Sequence, residues 1–466
     1  MNPLIFALAA ATAAPNGAAG LPTPPPFAHD AAQERAALKW IEQDGHGLSG
    51  PDAGPDELAP IVARLKGARV IGIGEATHGD HEDQQFKTNM LRALIRDGAI
   101  SAVAMEAGRS AVAGLDHYVR TGEGDPAALL RANGFYTIWR NEELAGFLVW
   151  LRAWNLTAAK PVRIFGIDNQ DAGRDAALAL ALIARHDPAL AATLGAPLDP
   201  LLPKPGKDLL LPYLWIHADD GAATARAMAA TRAIADTIEA HRPQWGSDPD
   251  YAEARYAAEI AWQNFNEDEL ETNHAAYDGK RPDGYSSRRD VFMAANLVAL
   301  TNGGERIGLW AHNGHLQHAV APNMKDTTTL GLELRKRLGD DYRCLGFVWS
   351  RGSIITIVDT IANIGKKTQA QASVLALLND RPSEIGSIFA RTKSNALWID
   401  PTRRPHTPLL DAWVKVPYWD GAAGALVDPA QWQVDKRVAG DQPDFDQMFD
   451  VLVWFRTISP TRRLPA

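Results

Sequence analysis

The chain has 466 residues, of which 46% are hydrophobic and 22% charged, and its formal net charge is −9. This composition excludes a wholly disordered chain, and the acidic balance argues against a nucleic-acid partner. A single cysteine, Cys344, excludes an intramolecular disulfide framework and a cysteine-rich zinc site.

At the N-terminus, Pro3 to Ala14 is an apolar run ending in small residues, like the core of a signal peptide, although no Lys or Arg precedes it. Pro15 to Pro26 is rich in Gly, Ala and Pro. Residues 1–30 therefore read as a signal peptide or a disordered leader. Export to the periplasm or beyond is expected in the first case, a cytoplasmic protein in the second. No run reaches the roughly 18 apolar residues that a membrane span needs.

The ordered part, 31–466, begins with a helix over Ala31–Gln43. A strand is expected at Arg69–Ile73, then a helix over Gln84–Asp97 and a strand at Ala99–Met105. Leu144, Phe147, Leu148 and Leu151 recur at helical spacing, which predicts a helix over Glu143–Asn155. A third strand follows at Val162–Ile167. From about 176 to 273 the pattern is Ala-rich and almost purely helical, broken at Leu202–Pro212, and reads as a helical insertion. Then come a helix over Arg289–Thr301 and strands at Arg306–Ala311, Arg343–Trp349 and Ile354–Val358. The last hundred residues are mixed and end in a strand-like stretch, Phe449–Phe455. Strands alternating with helices predict an α/β fold with a central, mostly parallel sheet flanked by helices.

In such sheets ligands bind beyond the carboxyl ends of the strands. The first strand is followed by Gly74-Glu75-Ala76-Thr77-His78-Gly79 and the second by Glu106. The third is followed by Asp168 and the fourth by His312-Asn313-Gly314-His315. Four strands ending in ionisable or polar groups at one sheet edge indicate one catalytic site. Gly72 and Gly74 begin a G-x-G-x-x-G pattern that fails at Thr77, which weakens a nucleotide-binding reading. Gly108 to Val112 fails as a G-x-S-x-G nucleophile elbow. A hydrolase built on these residues would use water activated by a base. Histidine suits that task because its pKa lies near neutrality, with Glu75 or Glu106 as the carboxylate beside it. A metal site is the alternative, through Glu75, His78 and His81, or His312 and His315, each spaced by three. His81, His315 and His318 otherwise read as supporting or solvated groups, and Cys344 as a small buried hydrophobe.

The motifs GEATHG (74–79), MEAG (105–108), WRNEE (139–143) and WAHNGH (310–315), in this order, resemble those of the erythromycin esterase family. Tyr118 to Asp125, Phe165 to Asp168, Leu338 to Gly352 and Phe449 to Pro460 extend the resemblance, which runs from about Leu58 to the end. It implies a metal-independent, cofactor-free carboxylic-ester hydrolase that opens the lactone of macrolide antibiotics and so confers resistance, on a parallel sheet with a helical insertion beside a cleft. It implies His78 as the general base and Glu75 as the group that positions water or that base. Glu106 would be a further essential carboxylate, and His312 would stabilise the oxyanion or protonate the leaving alcohol. Lys87 and His315 would lie around the substrate. Arg140 and Asp168 are further candidates there, with an Arg140 pairing to Glu142 or Glu143 and an Asp168 helix cap as the structural alternatives. Trp215, Trp245 and Trp262 could wall a macrocycle or pack a core. The family commonly carries an aromatic pair near 84–86, where only Phe86 is kept here, a departure expected to bear on substrate choice. The family also includes chains tied only to exopolysaccharide synthesis. Hydrolysis of another ester, such as an acylated polysaccharide, and a non-catalytic metal- or haem-binding relative are therefore the alternatives.

Overall fold

The computed structural model describes residues 30–465 except 133–134, 136, 170–171, 205–221, 269–287, 321–327, 359–371, 381–383, 417, 419–420, 422, 425 and 428–442. Residues 1–29 of the expected leader and Trp215 lie outside the described residues.

Among these residues the strands are β1 (His46–Gly47), β2 (Val70–Ile73), β3 (Ala102–Gly108), β4 (Arg163–Asp168), β5 (Ile307–Trp310), β6 (Tyr342–Val358), β7 (Ala372–Leu378), β8 (Ala396–Ile399), β9 (Leu426–Val427) and β10 (Val451–Ile458). They form one sheet in the order β1-β8-β10-β6-β2-β5-β3-β4, with β7 and β9 attached to β6. The run β10-β6-β2-β5-β3-β4 is parallel throughout, while β8 and β7 pair antiparallel. The expected mostly parallel α/β sheet is what the chain forms. Parallel strands are covered on both faces, and accordingly β2, β3 and β5 are buried at every position. One face packs on the helices Pro55–Leu65, His81–Asp97 and Glu142–Asn155. The other packs on Ala31–Asp44 and Arg288–Asn302.

Two expected elements differ. The strands expected at Arg343–Trp349 and Ile354–Val358 are one continuous strand, β6. The polar Arg351–Ser353 between them is where β6 leaves the covered core, and its ladder continues on both sides, to β7 and β10. The strand expected to end at Met105 runs on to Gly108, and its register with β4 shifts between Met105 and Gly108. Glu106 therefore lies within a strand irregularity, a local device that re-aims a side chain.

The expected insertion contains the helices Ala172–His186, Pro188–Gly195, Ala222–Ala240 and Tyr251–Asp268, with an apolar cluster of its own. Trp245 belongs to that cluster, and Trp262 packs edge-on against Phe292. The insertion is tied to the sheet by Arg109, which bonds Asp175 at 2.5 Å and Glu253 at 2.9 Å. Gln263 and Asn296 exchange two amide hydrogen bonds at 2.9 Å, and Asn296 also donates to the Ile167 carbonyl at 3.0 Å.

Candidate active site

The site is built where β2, β5, β3 and β4, adjacent in that order, reach their carboxyl ends. The loop 74–80 after β2 is held by backbone bonds from Gly74 to Leu345, from Ala423 to Ala76, and from Ile355 and Thr461 to Gly79. Two glycines make this possible. A Cβ on Gly74 would lie 2.3 Å from Asn313 Oδ1, and one on Gly79 would lie 1.8 Å from the Ile355 carbonyl oxygen. The helix His81–Asp97 then starts on its cap, Asp80, which accepts from the Asp83 amide at 2.7 Å.

Glu75 is fully buried and carries four donors. One oxygen receives the Trp139 indole N–H at 3.0 Å and contacts His78 Nδ1. The other receives Gln84 Nε2 and Lys87 Nζ, both at 2.5 Å. Burial disfavours the carboxylate, but Lys87 and His78 outweigh it and hold its pKa at about 2. Lys87 is itself wholly buried, stacked 4.5 Å over Trp310, and burial lowers its pKa despite the pair with Glu75.

A second cluster centres on Glu106. Its carboxylate accepts from Arg289 Nη2 at 2.9 Å, from His315 Nε2 at 3.1 Å and from the His312 backbone N–H at 2.9 Å. Arg289 also makes a two-pronged bond to Asp168, at 3.0 and 2.8 Å. His315 Nδ1 meets Asp290 at 2.5 Å. Burial would discharge this imidazole, yet Asp290 and Glu106 raise its pKa to about 10. His315 and Arg289 are thus both cations. They approach to 3.2 Å because the carboxylates of Glu106, Asp168 and Asp290 surround them.

The clusters meet through two imidazoles. The His78 and His312 rings lie 4.8 Å apart. His312 Nδ1 accepts from the Gly314 amide at 3.2 Å, so Nε2 carries the proton and donates to the Ala76 carbonyl at 3.2 Å. Burial and the neighbouring His78 push its pKa down to about 3, so the ring is neutral. Side-chain exposure sorts the site into a back and a front. Glu75, Lys87 and Asp168 are sealed at 0%, whereas His78 keeps 8% and His315 14%.

Against this geometry we compared the chain with known proteins. A family model described as erythromycin esterase matches residues 97–458. The chain belongs to the erythromycin esterase family. A Bacillus subtilis protein named as a hydrolase is 24% identical over 143 residues, 31% of this chain and 31% of that protein. Erythromycin esterase type I of Escherichia coli is 24% identical over 311 residues, 63% of this chain and 72% of the relative. The chain thus spans about a third of the first relative's length. A solved structure of an erythromycin esterase mutant in its open conformation superposes with a TM-score of 0.63 at 16% identity, covering 90% of this chain and 98% of that one, a likeness of fold.

Of the residues singled out in this esterase-family chain, Glu75, His78, Glu106, Asp168, His312 and His315 converge on one site. Lys87 joins them from behind, wholly buried, with Glu75, the Ala311 carbonyl and the Trp310 ring as its contacts, and does not line the substrate side. Arg140 stands apart, donating to the Phe135 carbonyl at 2.8 Å and not pairing with Glu142 or Glu143. Glu143 is occupied by His81 Nδ1 at 2.6 Å and by the Arg462 amide at 3.1 Å. That contact turns His81 away from Glu75 and His78, and the metal set 75-78-81 does not assemble. Asp168 binds Arg289, and the next described helix is Ala172–His186. The departure at 84–86 falls on the machinery itself, since Gln84 bonds Glu75 and Phe86 is buried against Phe347 and Phe455. Arg289 escaped the sequence reading. It follows no strand, and its only signal was a position at the start of an expected helix beside Asp290.

Proposed function

We propose that the chain is a carboxylic-ester hydrolase that opens macrolactones with water activated by His78. The carrying observation is the Glu75–His78 contact on Nδ1. It fixes the tautomer with Nδ1–H toward Glu75 and leaves Nε2 as the base. Glu75 suits this role because Lys87 and three other donors keep it ionised and immobile.

Water attacks the lactone carbonyl carbon and gives its proton to His78 Nε2. The imidazolium so formed is stabilised by Glu75. Charge develops on the carbonyl oxygen, and the neutral His312 supplies an N–H from Nε2. Its bond to the Ala76 carbonyl is a long, neutral one that an oxyanion can replace. When the intermediate collapses, the ring C–O bond breaks and His78 returns its proton to the leaving alkoxide. The result is one hydroxyl and one carboxylic acid on an opened chain, and the acid releases its proton to solvent to become a carboxylate. Glu106, fixed by Arg289 and by the His312 backbone, holds His312 in place.

A panel of substrates tests this reading. Purified protein is incubated separately with macrolides of different ring size and with an acetylated polysaccharide, and products are identified by mass. Macrolides gaining one water is the expected outcome. Release of acetate from the polysaccharide with every macrolide intact would overturn the macrolactone assignment.

A further inference from the structure

A second group of reactive side chains lies away from the hydrolytic site. Cys344 stands near the start of β6, paired with Gly72 of β2, with its side chain on the face covered by the helices Ala31–Asp44 and Arg288–Asn302. His318 comes from the segment after β5 and is anchored by its backbone N–H to the Met448 carbonyl at 3.0 Å. Asp450 immediately precedes β10. Three segments distant in sequence therefore bring a thiol, an imidazole and a carboxylate together, all three donor atoms lying within 4.8 Å of one another. His318 Nε2 lies 2.9 Å from Cys344 Sγ and 3.2 Å from Asp450 Oδ2.

Hydrogen bonds alone satisfy this arrangement poorly. Nε2 can carry one proton, yet it faces two electron-rich atoms. Asp450 Oδ2 already accepts from the Cys344 backbone N–H at 2.9 Å, while Oδ1 faces Arg64 at 3.3 Å. A cation at the centre would engage all three lone pairs at once.

Sulfur, nitrogen and oxygen donors together select zinc-class ions over calcium or magnesium. A tetrahedral zinc with the usual bond lengths separates its N and S ligands by about 3.5 Å and its N and O ligands by about 3.3 Å. The N–O spacing already fits, and the N–S spacing must open by roughly half an ångström. His318 and Asp450 side chains keep 15% and 11% exposure, which gives an ion a way in and water access to a fourth position. Tyr342 braces the site, its hydroxyl donating to the Leu316 carbonyl at 2.6 Å and its ring 5.2 Å from that of His318.

We propose that His318, Cys344 and Asp450 bind one zinc-class divalent cation, at a site separate from the hydrolytic centre. The ion clamps the segment that carries His312 and His315 onto β6 and the entry to β10.

Cobalt(II) titration of the chelator-stripped full chain tests this. One equivalent should bind with a thiolate-to-cobalt charge-transfer band, assignable without ambiguity because Cys344 is the sole cysteine. Cys344→Ser should abolish the band, while His318→Ala and Asp450→Asn should weaken apparent affinity by about tenfold or more. Saturating cobalt without the band in the unaltered protein would overturn the proposal, as would undiminished affinity in His318→Ala. The unaltered chain gives the primary reading, so poor folding of a variant does not obscure it. His78→Ala should keep the band, so failure of the hydrolase reading and failure of this one are separately visible.

Discussion

Lys87 and Glu75 form an ion pair with no exposed surface, the ammonium 2.5 Å from one carboxylate oxygen while the other oxygen holds His78 and Trp139. Two charges sealed together are costly, and removing one leaves the other uncompensated. Here the arrangement keeps Glu75 anionic and oriented beside His78.

Lys87→Met should therefore lose both stability and activity. Breaking a buried pair costs about 3–5 kcal/mol. Urea unfolding should show a drop of that order, accompanied by a large fall in kcat. An unchanged unfolding midpoint would mean that Glu75 does not need its cation.

Arg289→Lys preserves the charge but not the two-pronged bond to Asp168 or its extension to Glu106. Hydrolysis should fall at least about tenfold, with KM rising if the cation also meets an anionic group. Steady-state kinetics on a variant with normal circular dichroism decides this, and full activity would remove Arg289 from the site's architecture.

His315 gives the stability a pH signature. Its pKa of about 10 lies above the ordinary imidazole value of about 6.5. The stability it contributes is fully present below pH about 6.5 and is lost as pH rises through about 10. Denaturant unfolding from pH 6 to 10 should therefore show a decline in the unaltered protein that is much reduced in His315→Gln. Parallel declines in both would place the titrating group elsewhere.

Asp83 works in the same direction from a carboxyl. Burial raises its pKa to about 8, while the Ala76 amide donates to it at 2.8 Å. Being raised above the ordinary carboxyl value, it penalises the fold progressively from pH about 4 to about 8. Asp83→Asn keeps an acceptor for Ala76 and removes the titration. It should equal the unaltered chain near pH 4 and exceed it in stability at pH 8, as melting temperatures would show.

Much of the site was legible because a parallel sheet collects whatever follows its strands. Glu75, His78, His312 and Asp168 were found by position alone. Glu106 was found one step off, since the strand runs past it through an irregularity that alternation does not reveal. Arg289 and Asp290 were missed because they enter from a helix start, and only tertiary packing brings them to Glu106. Lys87 was placed around the substrate by the family resemblance alone. Its complete burial depends on Glu75 and Trp310, which the spacing of residues cannot disclose. The unity of β6 was hidden by the polar Ser350–Ser353, and β7 by the mixed character of the last hundred residues.

The most direct measurement is the mass of erythromycin after incubation with the unaltered chain and with His78→Ala. Opening of the lactone by His78-activated water predicts a product heavier by one water (or its dehydration products), formed about 10²–10⁴-fold more slowly by a folded His78→Ala. Equal rates of opening by the two proteins would contradict the role of His78, and intact erythromycin with the unaltered chain would contradict erythromycin as a substrate.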